Sequence, residues 1–495
     1  MPVFADGVAS GDPLTDRVVI WTRITTDGTD AVPVAWAVTT PDGDGVAAGS
    51  VEARAEHDWT VHVDVDGLQP STPYRYAFQA MGELSPEGRT RTLPVGEVQR
   101  VRFAQVSCAK FNAGFFNAYA RIADRSDLDF VLHLGDYIYE ASQTPPASQT
   151  PGADIGRPFD PPHECKTLAD YRRRYAQYHR DPDVQRMHAA HPLVAAVDDH
   201  EFADGAWRDG AAEHRDERDG PWAARRAAAF RAHWEWLPAR LPDPADPERA
   251  FRSLALGDLA DLLLIDLRTR RDEPVGGAEM HDPARTMLGM EQREWLFREL
   301  SASKARWRLL GNPSVLARTW NDDLPQSVRE LLVKVKMIDH DTTGPDPDQW
   351  DGYPAERSAL LRHIQQQTRG NVVVLSGDVH VGMAIELRDE ELTGNPVAVE
   401  FVNTSLTSQN LDDKMGWRPR TEGLPFEADF LAGMPDVKWC DFDSHGYSLV
   451  DVTRDRVSVE WWAVATVLER AEAERRVAAW EVRDGSPRVQ RTGGD

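Results

Sequence analysis

Five hydrophobic runs in the chain are each followed by side chains that can bind metal ions or transfer protons. The runs at 101–106, 130–134, 193–197, 307–310 and 372–375 lead in turn to Cys108, to Asp136 and Tyr139, to Asp199 and His200, to Asn312, and to Asp378 and His380. A single Asp after a strand is usually a turn former or a helix cap. Five such ends in one region are hard to explain in that way, and they predict a shared site.

The chemistry of these side chains fits a hydrolytic site with two metal ions. Two cations about 3.5–4 Å apart can clamp a phosphoryl group and activate a bound water. A carboxylate can bridge both ions through its two oxygens, and we expect Asp136 to do so. Gly135 and Gly377 leave room for the backbone beside the ligands. We expect the segment after the last run to be extended, which places Asp378 and His380 on the same side of it.

The elements around these runs predict an α/β domain over residues 98–495. Strand-like runs alternate there with amphipathic helical stretches such as 168–179 and 221–236. In open α/β sheets, ligands bind beyond the carboxyl ends of the strands, where all five groups of side chains fall. The Pro-, Ser- and Gly-rich stretch 141–166 is typical of a lid or another functional loop.

Residues 1–97 have a different pattern, which predicts a small all-β domain. Short β-branched or aromatic runs at 18–22, 34–38, 60–65 and 74–78 are separated by turn signals. This spacing is typical of an antiparallel sandwich. The segment 67–76 resembles the corner of fibronectin type III domains. We expect this domain to pack against its neighbour or to shield it.

Composition and charge exclude several classes of protein. The 495 residues are 41% hydrophobic and 28% charged, which is ordinary for a folded protein of two or more domains. The formal net charge of −25 argues against nonspecific binding to nucleic acid and against docking on anionic lipid. It leaves room for an anionic substrate, because a metal ion can dominate the field within one site.

The sequence gives few signs of where the protein is located. It has no run of about 18 apolar residues, so we predict no membrane span. The first seven residues carry neither a basic region nor an apolar region, so the chain as written is expected in the cytoplasm. A secreted or periplasmic protein whose signal had been removed would look the same apart from its Met. Three cysteines cannot form a disulfide framework. We expect the protein to be a monomer.

Several of these motifs together resemble the alkaline phosphatase D (PhoD-like) family of the calcineurin-like metallophosphatases. The matching runs extend in order from about residue 6 to about residue 490, and they lie at 10–13, 19–23, 134–140, 198–201, 350–354 and 376–380. The resemblance implies a two-sheet α/β/β/α sandwich, preceded by a small all-β domain like fibronectin type III. It also implies a hydrolase of small phosphate esters, which is an alkaline phosphatase or phosphodiesterase using a metal-activated water.

The resemblance implies an Fe³⁺ site built from four side chains. Asp136 would bridge the two metals, and Tyr139 would bind iron as a phenolate. The first motif of the wider superfamily, Asp-x-His, is absent here. Cys108 lies at the corresponding strand end, and it would bind iron as a thiolate. His380 would complete the site.

The resemblance also implies a second metal site and a catalytic histidine. Asp199 and Asp378 stand where the superfamily has Asn and His, so the second site is rich in oxygen and favours Ca²⁺ over Zn²⁺. Asn312 is a further candidate ligand of this metal. His200 would donate a hydrogen bond to the phosphoryl or leaving-group oxygen in the transition state.

Other functions remain open at this point. A phospholipase D-like phosphodiesterase of the same fold would use the same residues. A binding protein with an inert hydrolase domain would not need them. A hydrolase that uses Asp198, Asp199 and Glu201 without metal would leave Cys108 and Tyr139 without a role.

A structural role is possible for Arg268 and is expected for the run Arg172–Arg174. Arg268 could contact the substrate phosphate through its planar guanidinium or form a structural ion pair. The run Arg172–Arg174 is expected to be a solvated helix face. His133 lies inside a strand-like run, and we expect it to pack in the core or to support a ligand.

Overall fold

The structure is a computed structural model, and it describes residues 2–143, 155–318, 324–334, 346–368, 370–389 and 394–493. Its strands are β1 (Val8–Gly11), β2 (Val18–Arg23), β3 (Val32–Thr39), β4 (Gly45–Ala53), β5 (Thr60–Val65), β6 (Pro73–Ala80), β7 (Glu83–Leu84), β8 (Gly88–Arg91), β9 (Arg100–Val106), β10 (Phe130–His133), β11 (Leu193–Ala195), β12 (Arg252–Leu256), β13 (Ala260–Leu264), β14 (Trp307–Asn312), β15 (Val372–Ser376), β16 (Gly382–Leu387), β17 (Ala398–Val402), β18 (Val437–Asp441), β19 (Gly446–Thr453), β20 (Arg456–Val464), β21 (Glu474–Arg483) and β22 (Val489–Gly493).

The helices lie mainly between and after these strands. They are α1 (Asn117–Ala123), α2 (Leu168–His179), α3 (Pro182–Ala190), α4 (Asp216–Asp219), α5 (Trp222–Trp236), α6 (Met290–Ala302), α7 (Gln326–Lys334), α8 (Pro354–Gln367), α9 (Leu411–Met415) and α10 (Leu424–Gly433). Two of them match the predicted helical stretches. Helix α2 begins at a capping box in which Thr167 and Asp170 satisfy each other's backbone N–H groups.

Two large sheets form the centre of the fold. The first has the order β22-β21-β20-β19-β9-β10-β11-β1-β2-β5, and the second has the order β12-β13-β14-β15-β17-β16-β18. Strands β9, β10 and β11 pair in parallel, as do β13, β14, β15 and β17. The candidate ligands therefore follow the carboxyl ends of parallel strands in both sheets.

The alternation of side chains along the strands explains the layers. In β9, Phe103 enters the core between the two sheets, whereas Ala104 faces the layer that contains α1, α2, α3 and α5. In β15, Val373 lies between the sheets and Val374 faces the layer that contains α6 and α8. Strands covered on both faces are continuously apolar, which is why the sequence shows them as hydrophobic runs. The predicted α/β/β/α sandwich is confirmed.

The N-terminal region is all-β, as predicted, but it shares a sheet with the rest of the chain. One of its layers is the sheet β4-β3-β6-β7, in which β8 also pairs with β6. The other layer is β1, β2 and β5, and this layer continues the first large sheet through the parallel pairing of Gly11 with Leu193. Both layers close over one apolar core that includes Ile20, Val34 and Phe78.

Three further observations concern expectations from the sequence. Within the ranges that the structure describes, no helix is long and apolar enough to cross a membrane. The middle of the predicted lid, residues 144–154, lies outside the described residues. All three cysteines are buried and free of disulfides.

Candidate metal centre

Two groups of candidate metal ligands meet beyond the strand ends. The ligand atoms of Cys108, Asp136 and His380 all lie within 4.8 Å of one another, and so do those of Asp198, Asp199 and Asp378. A third set with the same spacing consists of Asp136, Asp199 and His200. Asp136 and Asp199 each belong to two sets, so the two groups are continuous. This arrangement supports Asp136 as the bridging carboxylate.

The backbone at the centre is strained at four of the candidate ligands. Cys108, Asp136, Asp378 and His380 have φ angles of 60°, 55°, 66° and 59°. Side chains other than Gly rarely adopt this left-handed region, at a cost of about 1–3 kcal/mol each, and such residues cluster at functional sites.

The expectation that Asp378 and His380 share one side of an extended segment is wrong. Both residues have positive φ, and the N–H of Val379 donates to the carbonyl of Gly377 at 2.8 Å. This tight turn directs Asp378 to the all-carboxylate group and His380 to the group with the thiol. One strand end still reaches both groups, but it does so through left-handed residues.

Gly135 and Gly377 are required by close approach, as the sequence suggested. A Cβ on Gly135 would lie 2.4 Å from the Cβ of Asp198, and the φ of Gly135 is 94°. A Cβ on Gly377 would lie 2.7 Å from Oγ of Ser107. Both distances are below any normal contact, so the loops that carry the ligands can meet only through these glycines.

The phenol of Tyr139 lies between a ligand and a supporting loop. Its Oη donates to Oδ2 of Asp136 at 2.8 Å and accepts from Oγ of Ser408 at 2.6 Å. The N–H of Ser408 in turn donates to the carbonyl of Cys108 at 3.3 Å. Ser408 therefore links two candidate ligands, and its hydroxyl can stabilise a phenolate at Tyr139.

His380 is oriented by the same loop. Its Nδ1 donates to the carbonyl of Gln409 at 2.9 Å, which leaves Nε2 as the nitrogen with a free lone pair. Burial lowers the pKa of His380 to about 3. A neutral imidazole with this tautomer is the form that binds metals.

The electrostatics of the centre show that its donors fit a cation. Burial, followed by the charge of Asp136, raises the pKa of the Cys108 thiol well above its usual range. Burial likewise raises the pKa values of Asp136 and Tyr139 well above theirs, although the charge of His200 opposes the rise at Asp136. Oδ1 of Asp199 is buried without a hydrogen-bond partner. Positive charge placed among these groups would allow them to ionise and would engage that oxygen.

Arg268 forms a structural ion-pair network beside the oxygen-rich group. Its guanidinium binds Asp198 through two nitrogens, and it lies 2.6 Å from Asp348 and 3.0 Å from Asp378. It is fully buried. Of the two interpretations of Arg268, the structure therefore supports the ion pair, in which the arginine holds carboxylates from three loops together.

Asn312 lies at the end of β14, but its amide is engaged with neighbouring residues. Its Oδ1 accepts from the indole N–H of Trp350 at 2.9 Å, and its Nδ2 donates to Oγ of Ser376 at 3.0 Å and to the carbonyl of Ser314. These contacts join the ends of β14 and β15. A role for Asn312 as a ligand stays a prediction.

His200 forms a pair with a carboxylate that the sequence analysis gave no role. Its Nδ1 lies 2.7 Å from Oε2 of Glu140. Burial alone would lower the pKa of His200, but the charges of Glu140, Asp136 and Asp199 raise it well above its usual range. These charges favour the protonated imidazole, and Glu140 fixes the ring so that Nε2 can donate to another group.

Two further residues that position the centre were missed or misread. The carboxylate of Glu201 accepts from the backbone N–H groups of Asp136, Tyr137 and Asp198, so it joins the loops after β10 and β11. Because its carboxylate is engaged in this way, Glu201 is not available as a catalytic group in the metal-free hydrolase considered above. Arg174 is fully buried and donates to the carbonyls of Tyr139 and Ala141.

The expected solvated face at Arg172–Arg174 is therefore wrong for Arg174. Its place on the helix gave a signal, since the tyrosines at 171, 175 and 178 are fully buried on the same side of α2. Arg174 follows Tyr171 by three positions and precedes Tyr178 by four, so it lies on the same buried face of the helix. This spacing, rather than the charge of the run, determines the environment of Arg174.

A two-sheet α/β/β/α sandwich with thiol, carboxylate, phenol and imidazole donors beyond its strand ends is the architecture of a metal-dependent phosphoesterase. Residues 103–461 match the family model of the PhoD-like phosphatases, and residues 1–94 match the model of the PhoD-like phosphatase N-terminal domain. The chain belongs to the PhoD-like phosphatase family, as its motifs predicted.

Individual relatives agree with this result. The chain is 36% identical to alkaline phosphatase D of Bacillus subtilis (strain 168) in an alignment 427 residues long, which covers 82% of this chain and 69% of that protein. A solved structure of PhoD superposes with a TM-score of 0.86 at 32% identity, covering 99% of this chain and 92% of the other. The predicted hydrolase of phosphate esters is confirmed at the level of the family, and the donor groups indicate a metal cofactor.

Proposed function

We propose that the chain hydrolyses small phosphate esters at a centre that holds Fe³⁺ and Ca²⁺. The observation that carries this proposal is the spacing of the donors, with ligand atoms of Cys108, Asp136 and His380 within 4.8 Å of one another and the carboxylate group of Asp199 and Asp378 directly beside them. When bound, the ions would supply positive charge to the phosphoryl oxygens and acidify a water molecule.

The two donor groups differ in a way that favours two different ions. Cys108, Tyr139 and His380 offer sulfur, phenol oxygen and nitrogen, a mixture that suits Fe³⁺. Asp199 and Asp378 offer only oxygens, which suit a hard cation such as Ca²⁺. Asp136 would serve both ions, and Asn312 would approach the calcium only if its amide exchanged the hydrogen bonds described above.

The chain's own contribution to the reaction is to orient the ester and to donate a proton. His200, held by Glu140 at 2.7 Å, would donate through Nε2 to a phosphoryl or leaving-group oxygen. General acid catalysis of this kind is typically worth about 10²–10⁴-fold in rate. Burial of Asp136, Tyr139 and Asp199 lowers the local dielectric constant and strengthens these interactions.

Elemental analysis of two cysteine variants tests the metal assignment. We expect about one iron per chain in the unaltered protein, a visible tyrosinate-to-iron absorption band, and calcium. Cys108→Ser should lose the iron and the band, while Cys440→Ser, which removes a buried thiol outside the centre, should keep both. Iron bound equally by the Cys108→Ser variant would exclude the proposed ligand set.

Rates on two esters test the reaction itself. The unaltered protein should hydrolyse nitrophenyl phosphate, a monoester, and the rate on bis-nitrophenyl phosphate would show how far it also accepts diesters. A preference for diesters would favour the phospholipase D-like alternative. Hydrolysis of neither ester by the metal-loaded protein would contradict the proposed function.

A further inference from the structure

A lysine lies at the centre beside the candidate phenol ligand. Lys110 follows Cys108 by two residues in the loop after β9, and its Nζ is 5.4 Å from the centroid of the Tyr139 ring. The imidazole of His200 packs on the same ring, with the two centroids 4.0 Å apart. Two cationic side chains therefore border Tyr139.

The charge of Lys110 faces the centre but is not neutralised by an ion pair. The carboxylates of Glu140, Asp204 and Asp136 all act on it electrostatically, and Lys110 itself acts on His380. Within the part of the chain that the structure describes, however, its Nζ has neither a carboxylate within 4.0 Å nor a hydrogen-bond acceptor. The residue as a whole is half-buried at the edge of the centre, and burial of its ammonium lowers the pKa of Lys110 although the neighbouring carboxylates oppose this.

Several other cations in the described part of the chain are committed to protein partners. Arg268 and Arg271 are fully buried, and both bind Asp348 at 2.6 Å. Lys166 lies 2.5 Å from Asp219, and Lys438 donates to the carbonyl of Pro435 at 2.6 Å. Lys110 differs from all of these because its three donors are available to a ligand.

An ammonium with unused donors beside a phosphate-ester centre has an evident partner. A Lys ammonium is a compact point charge with three rotatable donors, and it binds phosphate oxygens well. The chain has a net charge of −25, so a cationic side chain at the centre would add to the attraction that bound metal ions exert on an anionic ester. A charge partly withdrawn from water attracts that ester more strongly than one on the open surface.

We propose that Lys110 binds the phosphoryl group of the substrate and favours monoesters over diesters. This inference rests on the proposed function, because it concerns the same reaction. A phosphate monoester is mostly a dianion above its second pKa of about 6, whereas a diester carries one negative charge. A positive charge at Lys110 therefore stabilises the bound monoester more than the bound diester.

Steady-state kinetics on both nitrophenyl esters test the proposal with Lys110→Met and Lys110→Arg. For Lys110→Met we expect the KM for the monoester to rise about tenfold and the KM for the diester by less than about twofold. The Ki of inorganic phosphate as a competitive inhibitor should also rise about tenfold. Lys110→Arg should recover most of the lost affinity, because it restores the charge. Lys304→Met, which removes an exposed lysine between α6 and β14, should match the unaltered protein.

The outcomes separate this inference from the function on which it rests. An equal change for both esters, no change for either, or loss of bound metal together with the lysine would each overturn the role of Lys110. Metal content and melting temperature, measured on every variant, identify the last case. Failure of the unaltered protein to hydrolyse either ester would instead contradict the proposed function itself.

Discussion

The phenol of Tyr139 donates a hydrogen bond of 2.8 Å to Oδ2 of Asp136, so a candidate phenolate ligand and the candidate bridging carboxylate meet at one point. Metal binding there requires the phenol to release this proton. Burial and the charges of Asp136 and Cys108 raise the pKa of Tyr139 well above its usual range, so the phenol ionises only if a cation compensates. Ligand formation and metal binding are therefore coupled.

Asp136→Asn should abolish both metal binding and activity. The amide keeps the shape of the side chain but loses the negative charge that two cations would share. We expect phosphatase activity to fall by at least about 10³-fold, because several kcal/mol of charge stabilisation depend on the metals. Metal content and kcat/KM measured on the same preparation check this, with the exposed Asp455→Asn as a control. Full activity in Asp136→Asn would refute the bridging role.

Ser408→Ala should weaken metal binding without unfolding the protein. It removes the 2.6 Å hydrogen bond to Tyr139 Oη, and hydrogen bonds to charged groups are worth about 1.5–3 kcal/mol. The affinity for the metal, measured by competition with a chelator, should therefore fall by about 10- to 100-fold. Ser301→Ala on the exposed side of α6 should leave the affinity unchanged. Equal affinities in the two variants would show that Ser408 does not stabilise a phenolate.

Glu140→Gln should lower kcat while the metals stay bound. The carboxylate holds Nδ1 of His200 at 2.7 Å and is a main cause of the raised pKa of that imidazole. We expect kcat to fall by about 10²-fold, since the general acid loses both its orientation and its charge partner. A matched change at the exposed Glu291 of α6, Glu291→Gln, serves as the control. An unchanged kcat would exclude the pair as part of the reaction.

The strand ends could be predicted because ligands adjacent in sequence to buried parallel strands must come together. Cys108 and Asp136 follow neighbouring strands β9 and β10, which pair in register from Phe103 with Phe130 to Val106 with His133. The hydrophobic runs reveal such strands directly. For the same reason, Asp199 and Asp378 could be predicted to follow the ends of β11 and β15.

Other features depend on partners that lie far away in the sequence. Arg268 and Asp348 are 80 residues apart, yet they form one ion pair, and nothing in the local pattern of Arg268 indicates it. The left-handed turn at Asp378 and His380 could not be predicted either, because Asp and His adopt positive φ more often than most residues but still only in a small fraction of cases. The pairing of Gly11 with Leu193 joins two regions whose separate patterns suggested independent domains.

Buried histidines should make the folded protein sensitive to acid. Burial lowers the pKa of His133, His179 and His233 to about 3 and that of His191 to about 4. The unfolded chain binds protons at these residues near pH 6.5. Their contribution to stability is therefore complete above about pH 6.5 and is lost as the pH falls toward about 4 for His191 and about 3 for the other three, by about 1.4 kcal/mol per pH unit for each histidine.

Urea unfolding between pH 4.5 and 6.5 checks this linkage. We expect His179→Gln to reduce the slope of the unfolding free energy against pH by about one proton, whatever it does to stability at pH 7. The exposed His281→Gln should leave the slope unchanged. Identical slopes in His179→Gln and the unaltered protein would mean that His179 titrates alike in the folded and unfolded states.

Stepwise removal of metal from the purified, unaltered protein tests the central claim most directly. Bound metal per chain and the rate on nitrophenyl phosphate are measured together as a chelator is added, and again after iron and calcium are restored. We predict that metal and activity fall in parallel and return together, because the donors around Asp136 act only through the ions that they hold. Full activity in protein freed of metal would contradict the account.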